Sequence, residues 1–96
     1  MESRQAESKE PRRERTRIFY DILNSIVNQE GSGVARITRG QNDVNLPSDR
    51  LRVRLKEMDA LGLVEYGARL ASTQKGRAFM VEYQKVVSIL EQFGLL

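Results

Sequence analysis

Between residues 46 and 72 the spacing of apolar side chains changes from helical to alternating within a few positions. That change restricts the fold more than any other feature of the chain. Leu51, Leu55 and Met58 recur at i, i+4 and i+7, which is one stripe of a helix. Pro47 and Ser48 stand where a helix starts, Ser48 as N-cap or first-turn residue. Gly62 stands where it ends, a position that favours a left-handed residue. A helix over about 48–61 is therefore expected. Leu63, Val64, Glu65 and Tyr66 then read as a short strand, Gly67-Ala68 as a turn, and Arg69, Leu70, Ala71 and Ser72 as the return strand. Two strands this short do not hold together alone in water, so the hairpin must pack on helices.

The flanking segments supply those helices. Ile18, Phe19, Ile22, Leu23, Ile26 and Val27 form one broad apolar face, predicting a helix from Arg13 or Thr16 to Asn28. Residues 34–39 predict a short second helix capped by Ser32, with Val34 and Ile37 inward and Gly40, Gln41, Asn42 and Asp43 as the turn after it. Thr73 caps a last helix reaching about Phe93 before Gly94. In it Phe79, Tyr83, Val86, Leu90 and Phe93 are spaced as heptad a and d positions, with Met80, Val87 and Ile89 widening the stripe. The expected fold class is mainly α with a small β-hairpin, an α+β chain. Three parts are expected: a disordered charged tail at 1–14, a folded domain at 15–73, and a C-terminal helix at 74–96. The tail sets Arg4, Lys9, Arg12 and Arg13 among Glu2, Glu7, Glu10 and Glu14, with no large apolar residue but Met1, and Pro11 marks its end.

The 96 residues include no cysteine and no histidine. Zinc fingers, disulfide scaffolds, thiol nucleophiles and histidine acid–base catalysis are thereby excluded. No Gly-rich phosphate loop, metal-ligand cluster or nucleophile elbow appears, so neither enzyme activity nor a cofactor or metal is expected. No apolar run reaches the ~18 residues of a membrane helix, and the first residues are charged rather than signal-like, so a cytoplasmic protein is expected.

The element order, helix–helix–helix–hairpin–helix, together with GLVEY and LASTQKG, resembles the winged helix-turn-helix regulators. The likeness is greatest to small archaeal or archaeal-virus members with a C-terminal dimerisation helix. It is carried by Asn45, Leu46, Pro47, Leu51, Leu55, Met58, Gly62, Leu63 and Val64, then by Ala71, Thr73, Lys75 and Gly76, and it covers residues 15 to about 93. The segment between Ile37 and Asn45 is longer than in that group. The resemblance implies a sequence-specific double-stranded DNA-binding regulator, with helix 48–61 in the major groove and the hairpin beside it as a wing.

The charges agree with that expectation. The net charge of +3 is modest. Yet Arg36, Arg39, Arg50, Arg52, Arg54 and Lys56 face only Asp43 and Asp49 between positions 34 and 56, while positions 57–66 carry acids alone. With the apolar stripe inward, Ser48, Asp49, Arg50, Arg52, Val53 and Lys56 are the candidate groove residues, Arg36 and Arg39 phosphate contacts, and Arg69 the wing's base. Lys75 and Arg77 are further phosphate candidates. Phe79, Tyr83, Val86, Val87, Leu90 and Phe93 are the candidate interface of a homodimer. The competing readings are a solvated amphipathic helix, a winged-helix protein-interaction module, a non-specific chromatin-like DNA binder, and RNA binding, for which few aromatic side chains are available for stacking.

Overall fold

A computed structural model describes the backbone of residues 2–96 and the side chains of residues 15–96. The chain is mainly helical with one small antiparallel sheet: α1 (Glu2–Glu30), α2 (Ile37–Val44), α3 (Ser48–Ala60), β1 (Val64–Tyr66), β2 (Leu70–Ser72) and α4 (Gln74–Gln92). Phe19, Ile22, Leu23 and Ile26 of α1, Leu51, Leu55 and Met58 of α3, and Leu63 and Val64 make one buried core. Both apolar stripes expected of these helices thus enter one core.

Three expectations about element boundaries are corrected. α1 begins at Glu2 rather than near Arg13 or Thr16, and Pro11 lies inside it. The segment is rich in Glu, Arg, Gln and Ala, good helix formers that need no core to favour helical backbone, although Pro11 donates no helical hydrogen bond. The side chains of the expected tail, 1–14, lie outside the described residues.

α2 occupies Ile37–Val44 rather than 34–39, so that Gly40, Gln41, Asn42 and Asp43 form its body and not a turn. Val34 is 63% exposed, and Ala35 is buried in its place. The N-cap is Arg36, without a side-chain cap, and not Ser32. The reason lies in packing against α3. Ile37 and Val44 pack on the core, and Gly40 lies over Leu51, where an added Cβ would make ordinary contact with Leu51 Cδ2 at 3.4 Å. The helix ends at Asn45, whose φ of 58° is the left-handed conformation Asn tolerates.

The hairpin loop contains Gly67, Ala68 and Arg69, because the last pair of the ladder is Tyr66 with Leu70. Arg69 therefore sits in the turn and not in a strand.

The other boundaries lie within a residue or two of expectation, α1 running to Glu30 rather than Asn28 and β1 beginning at Val64 rather than Leu63. α3 ends with Gly62 at φ 82°, with Gly62 N–H donating to the Asp59 carbonyl and Leu63 N–H to the Met58 carbonyl. This pairing satisfies the last carbonyls and turns the chain into β1. Thr73 Oγ1 accepts from Gly76 N–H (2.9 Å) and donates to the Gly62 carbonyl (2.6 Å), so one hydroxyl caps α4 and ties it to the end of α3. Gly94, at φ 70°, terminates α4. No described helix is long and apolar enough to cross a membrane.

Candidate nucleic-acid interface

α3 turns its buried stripe to the core, which fixes the direction of everything else on it. At 3.6 residues per turn, Val53 falls opposite Leu51, Leu55 and Met58. Asp49, Arg50 and Lys56 flank Val53, and Arg52 lies further round; all five are exposed, and Ser48 is half-buried at the first turn. Asp49 in the first turn suits the positive end of the helix.

The bases differ in how they are held. Arg52 Nη1 donates to the Tyr66 hydroxyl (3.4 Å), so β1 steadies this guanidinium. Arg54 is taken up by Glu57 (3.0 Å), which Arg15 also approaches at 3.7 Å. That pairing draws the Glu57 carboxylate away from the outer face and neutralises it. Arg50, Lys56 and Arg69 have no ion pair or side-chain hydrogen bond among the described residues. All three are exposed.

Arg36 and Arg39 belong to a different feature. They line an open polar groove between the end of α1 and α2, together with Asn24, Ser25, Asn28 and Asp43. Arg39 Nε is 3.3 Å from Asp43, so much of its charge is already compensated. Buried Ser25 donates to the same carboxylate at 2.6 Å and accepts from Gln29 Nε2 at 3.0 Å, while Gln29 Oε1 accepts from the Arg36 backbone N–H at 2.7 Å. The Ser25 hydroxyl, helped by Arg39, holds the Asp43 carboxyl below its ordinary value of 3.8, against some desolvation. Asp21, on the rim, is shifted the other way: burial raises it, and Arg17 offsets this only in part. Of the bases counted between positions 34 and 56, four remain uncompensated: Arg36, Arg50, Arg52 and Lys56. Only Asp49 opposes them.

Two groups of residues escaped the sequence reading. Glu30, at the end of α1, accepts from Ser72 N–H (2.9 Å) and Ser72 Oγ (2.7 Å), and Arg77 Nη1 donates to the same hydroxyl (2.7 Å). This clamp fixes the hairpin against α1 and engages Arg77, a candidate phosphate contact. Lys75, the other, reaches the Leu61 carbonyl at 2.6 Å. The Glu30–Ser72, Lys75–Leu61 and Tyr66–Arg52 contacts have no local signature, since each joins positions at least 14 apart in the chain.

The expected heptad stripe of α4 is divided. Phe79 and Met80 pack on the core, and Tyr83 stacks on Tyr20 of α1 at 5.0 Å between ring centres. The Gln84 amide also bonds the Tyr20 hydroxyl. Beyond them Val87 and Leu90 are half-buried. Val86, Ile89 and Phe93 are exposed, Phe93 by 74%, and Val81, Leu95 and Leu96 add to the apolar surface. Val81 and Ile89 lie outside the a and d positions, because α1 takes up one side of the helix and leaves the opposite side open.

No protein-family model, curated protein or solved structure matches the chain.

Proposed function

We propose that the chain is a winged helix-turn-helix protein that binds double-stranded DNA and regulates transcription. In this reading α3 enters the major groove and the 67–69 loop serves as the wing. The observation that carries it is the outer face of α3. A helix whose apolar side is wholly buried presents Asp49, Arg50, Arg52, Val53 and Lys56 together, and a hairpin with an uncompensated arginine at its turn follows directly. Arginine's forked donors suit guanine O6 and N7, and lysine suits phosphate. The hairpin's turn suits a backbone or minor-groove contact by Arg69. Arg36 supports the same duplex from the α2 side, with Arg39 a lesser contributor because Asp43 already holds it.

The protein acts as a homodimer in this proposal, joined through the C-terminal half of α4. The surface that supports this is narrower than the heptad: Val86, Ile89 and Phe93 at its centre, with Val87 and Leu90 beside them and Phe79 and Tyr83 largely engaged within their own chain. A patch of this kind on a helix end is the usual mark of an association site. Pairing would set two α3 helices against successive turns of one duplex.

The test is a gel-shift titration against the DNA upstream of the protein's own gene, at several salt concentrations. Affinity falling by several decades between low and moderate salt supports the reading. Arg50→Ala or Arg52→Ala should weaken specific binding by ~1–3 kcal/mol if either reads a base. Salt-insensitive binding, or none, would favour the protein-interaction module instead. Equal, salt-steep binding to every sequence would favour the chromatin-like alternative. Val86→Glu with Phe93→Glu should yield monomers by sedimentation, and a monomeric unaltered chain would refute the dimer.

A further inference from the structure

Val53 stands apart on α3. The other large apolar residues between Ser48 and Ala60 are buried, with Leu51 at 2%, Leu55 at 1% and Met58 at 0% exposure, whereas Val53 is 55% exposed. It contributes little to the core. A β-branched residue is also a poorer helix former at an exposed position than Lys, Glu, Gln or Ala. Its place is the outermost line of the helix, opposite the buried stripe. Asp49 precedes it by four residues, Arg50 by three, and Lys56 follows it by three, so each lies beside it on the helix surface. Glu57, the remaining neighbour at i+4, is drawn off by Arg54 and Arg15. The result is one compact methyl-bearing side chain set among charged groups. Its χ1 is restricted by branching, so it loses little freedom on contact.

We propose that Val53 is a specificity-determining residue that reads the C5 methyl group of thymine. The inference rests on the DNA-binding reading of α3 and adds the base it selects. In the major groove thymine is the unmodified base that offers an apolar group, and small aliphatic side chains are its natural complement. Arg50, three residues ahead on the same face, is then directed to a neighbouring base edge or phosphate. The preferred site therefore has a thymine at the point nearest the middle of α3, once in each half-site of a dimer.

The test begins by selecting bound duplexes from a random pool and measuring affinity for the best of them by gel shift. Each thymine is then replaced in turn by deoxyuridine, which removes the methyl group and leaves base pairing intact. The expected result is a loss of about fourfold at one thymine per half-site, the value of burying one methylene-sized group. Val53→Ala, which alters an exposed position and should fold normally, is expected to bind the thymine and deoxyuridine duplexes equally. Indifference of the unaltered protein to every deoxyuridine substitution would overturn this inference alone. So would a Val53→Ala protein that keeps the discrimination. Failure to enrich any duplex, with no salt-sensitive binding to the pool, would overturn the DNA-binding reading and this inference with it.

Discussion

Replacing Gly76 by alanine isolates the closest approach in the fold. Gly76 lies in the first turn of α4, and its N–H donates to Thr73 Oγ1 at 2.9 Å. Its backbone is helical, so alanine would fit the local conformation and, in an open helix, would stabilise it by ~0.8–1 kcal/mol. The surroundings reverse that sign. A Cβ at Gly76 would stand 2.1 Å from the Leu63 carbonyl oxygen and 3.0 Å from both the Leu63 carbonyl carbon and Leu23 Cδ2. Ordinary carbon contacts are ~3.5–4.0 Å, so relief needs a shift of more than about 1 Å. The obstacle is backbone at the entry to β1, and it cannot rotate away. α4 must move off, which strains the Thr73–Gly62 hydrogen bond of 2.6 Å.

Overpacking costs ~1–3 kcal/mol and a lost hydrogen bond ~1 kcal/mol, against which helix propensity returns about 1. The net expectation is a destabilisation of roughly 1–3 kcal/mol, or a Tm lowered by on the order of 5–20 °C in a domain of this size. Thermal unfolding followed by far-ultraviolet circular dichroism measures it. Gly67→Ala is the matched control: its φ is not positive and its added Cβ meets nothing within 4 Å, so its Tm should hold or rise slightly. A Gly76→Ala protein as stable as the unaltered chain would refute the close packing of α4 on Leu63.

Further predictions concern the polar ties between elements. Glu30→Ala removes both acceptors of Ser72, and hydrogen bonds to a charged group are worth ~1.5–3 kcal/mol each before relaxation. The urea midpoint should fall accordingly, and an unchanged midpoint would show that the hairpin is held by apolar contact alone. Ser25→Ala should raise the Asp43 pKa toward 3.8, as read by an NMR titration of its carboxyl. Because the folded value is depressed, the stabilisation is present above the ordinary carboxylate range and lost as pH falls through the folded pKa, so Ser25→Ala should weaken the acid dependence of unfolding. An unmoved Asp43 titration would refute the Ser25 contact. Removing residues 1–11 should leave Tm nearly unchanged, since the buried core begins at Phe19. A large drop would show that this part of α1 stabilises the domain.

Much of the fold was legible because local chemistry and long-range packing agree. The stripe Leu51–Leu55–Met58, Gly62 at a left-handed turn, the hairpin and the Thr73 cap each carry a short-range signature, and tertiary contacts only reinforced them. α2 is not legible in the sequence because its local signals point the wrong way. Gly40, Gln41, Asn42 and Asp43 read as a turn, and only the packing of Ile37 and Val44 on the core draws the residues between them into a helix. The stripe of α4 was seen, but not its division, since a heptad spacing does not say which side another helix of the same chain will cover.

The same distinction runs through the candidate interface. Sequence alone determined that α3 would be basic on one side and apolar on the other, because residue spacing and helical geometry suffice to separate its faces. It also determined the mainly α class with one hairpin and the absence of thiol and imidazole chemistry. Tertiary structure decided which of the remaining bases are held by other elements. Arg39 pairs with Asp43 and Arg54 with Glu57 along their own helices, while Arg77 bonds the Ser72 hydroxyl, Lys75 the Leu61 carbonyl and Arg52 the Tyr66 hydroxyl; Arg50, Lys56 and Arg69 have no ion pair or side-chain hydrogen bond among the described residues. The deciding reason is distance: Arg39–Asp43 and Arg54–Glu57 lie one helical turn apart and meet in any helix formed there, whereas the contacts of Lys75 and Arg52 exist only once helix and hairpin have packed.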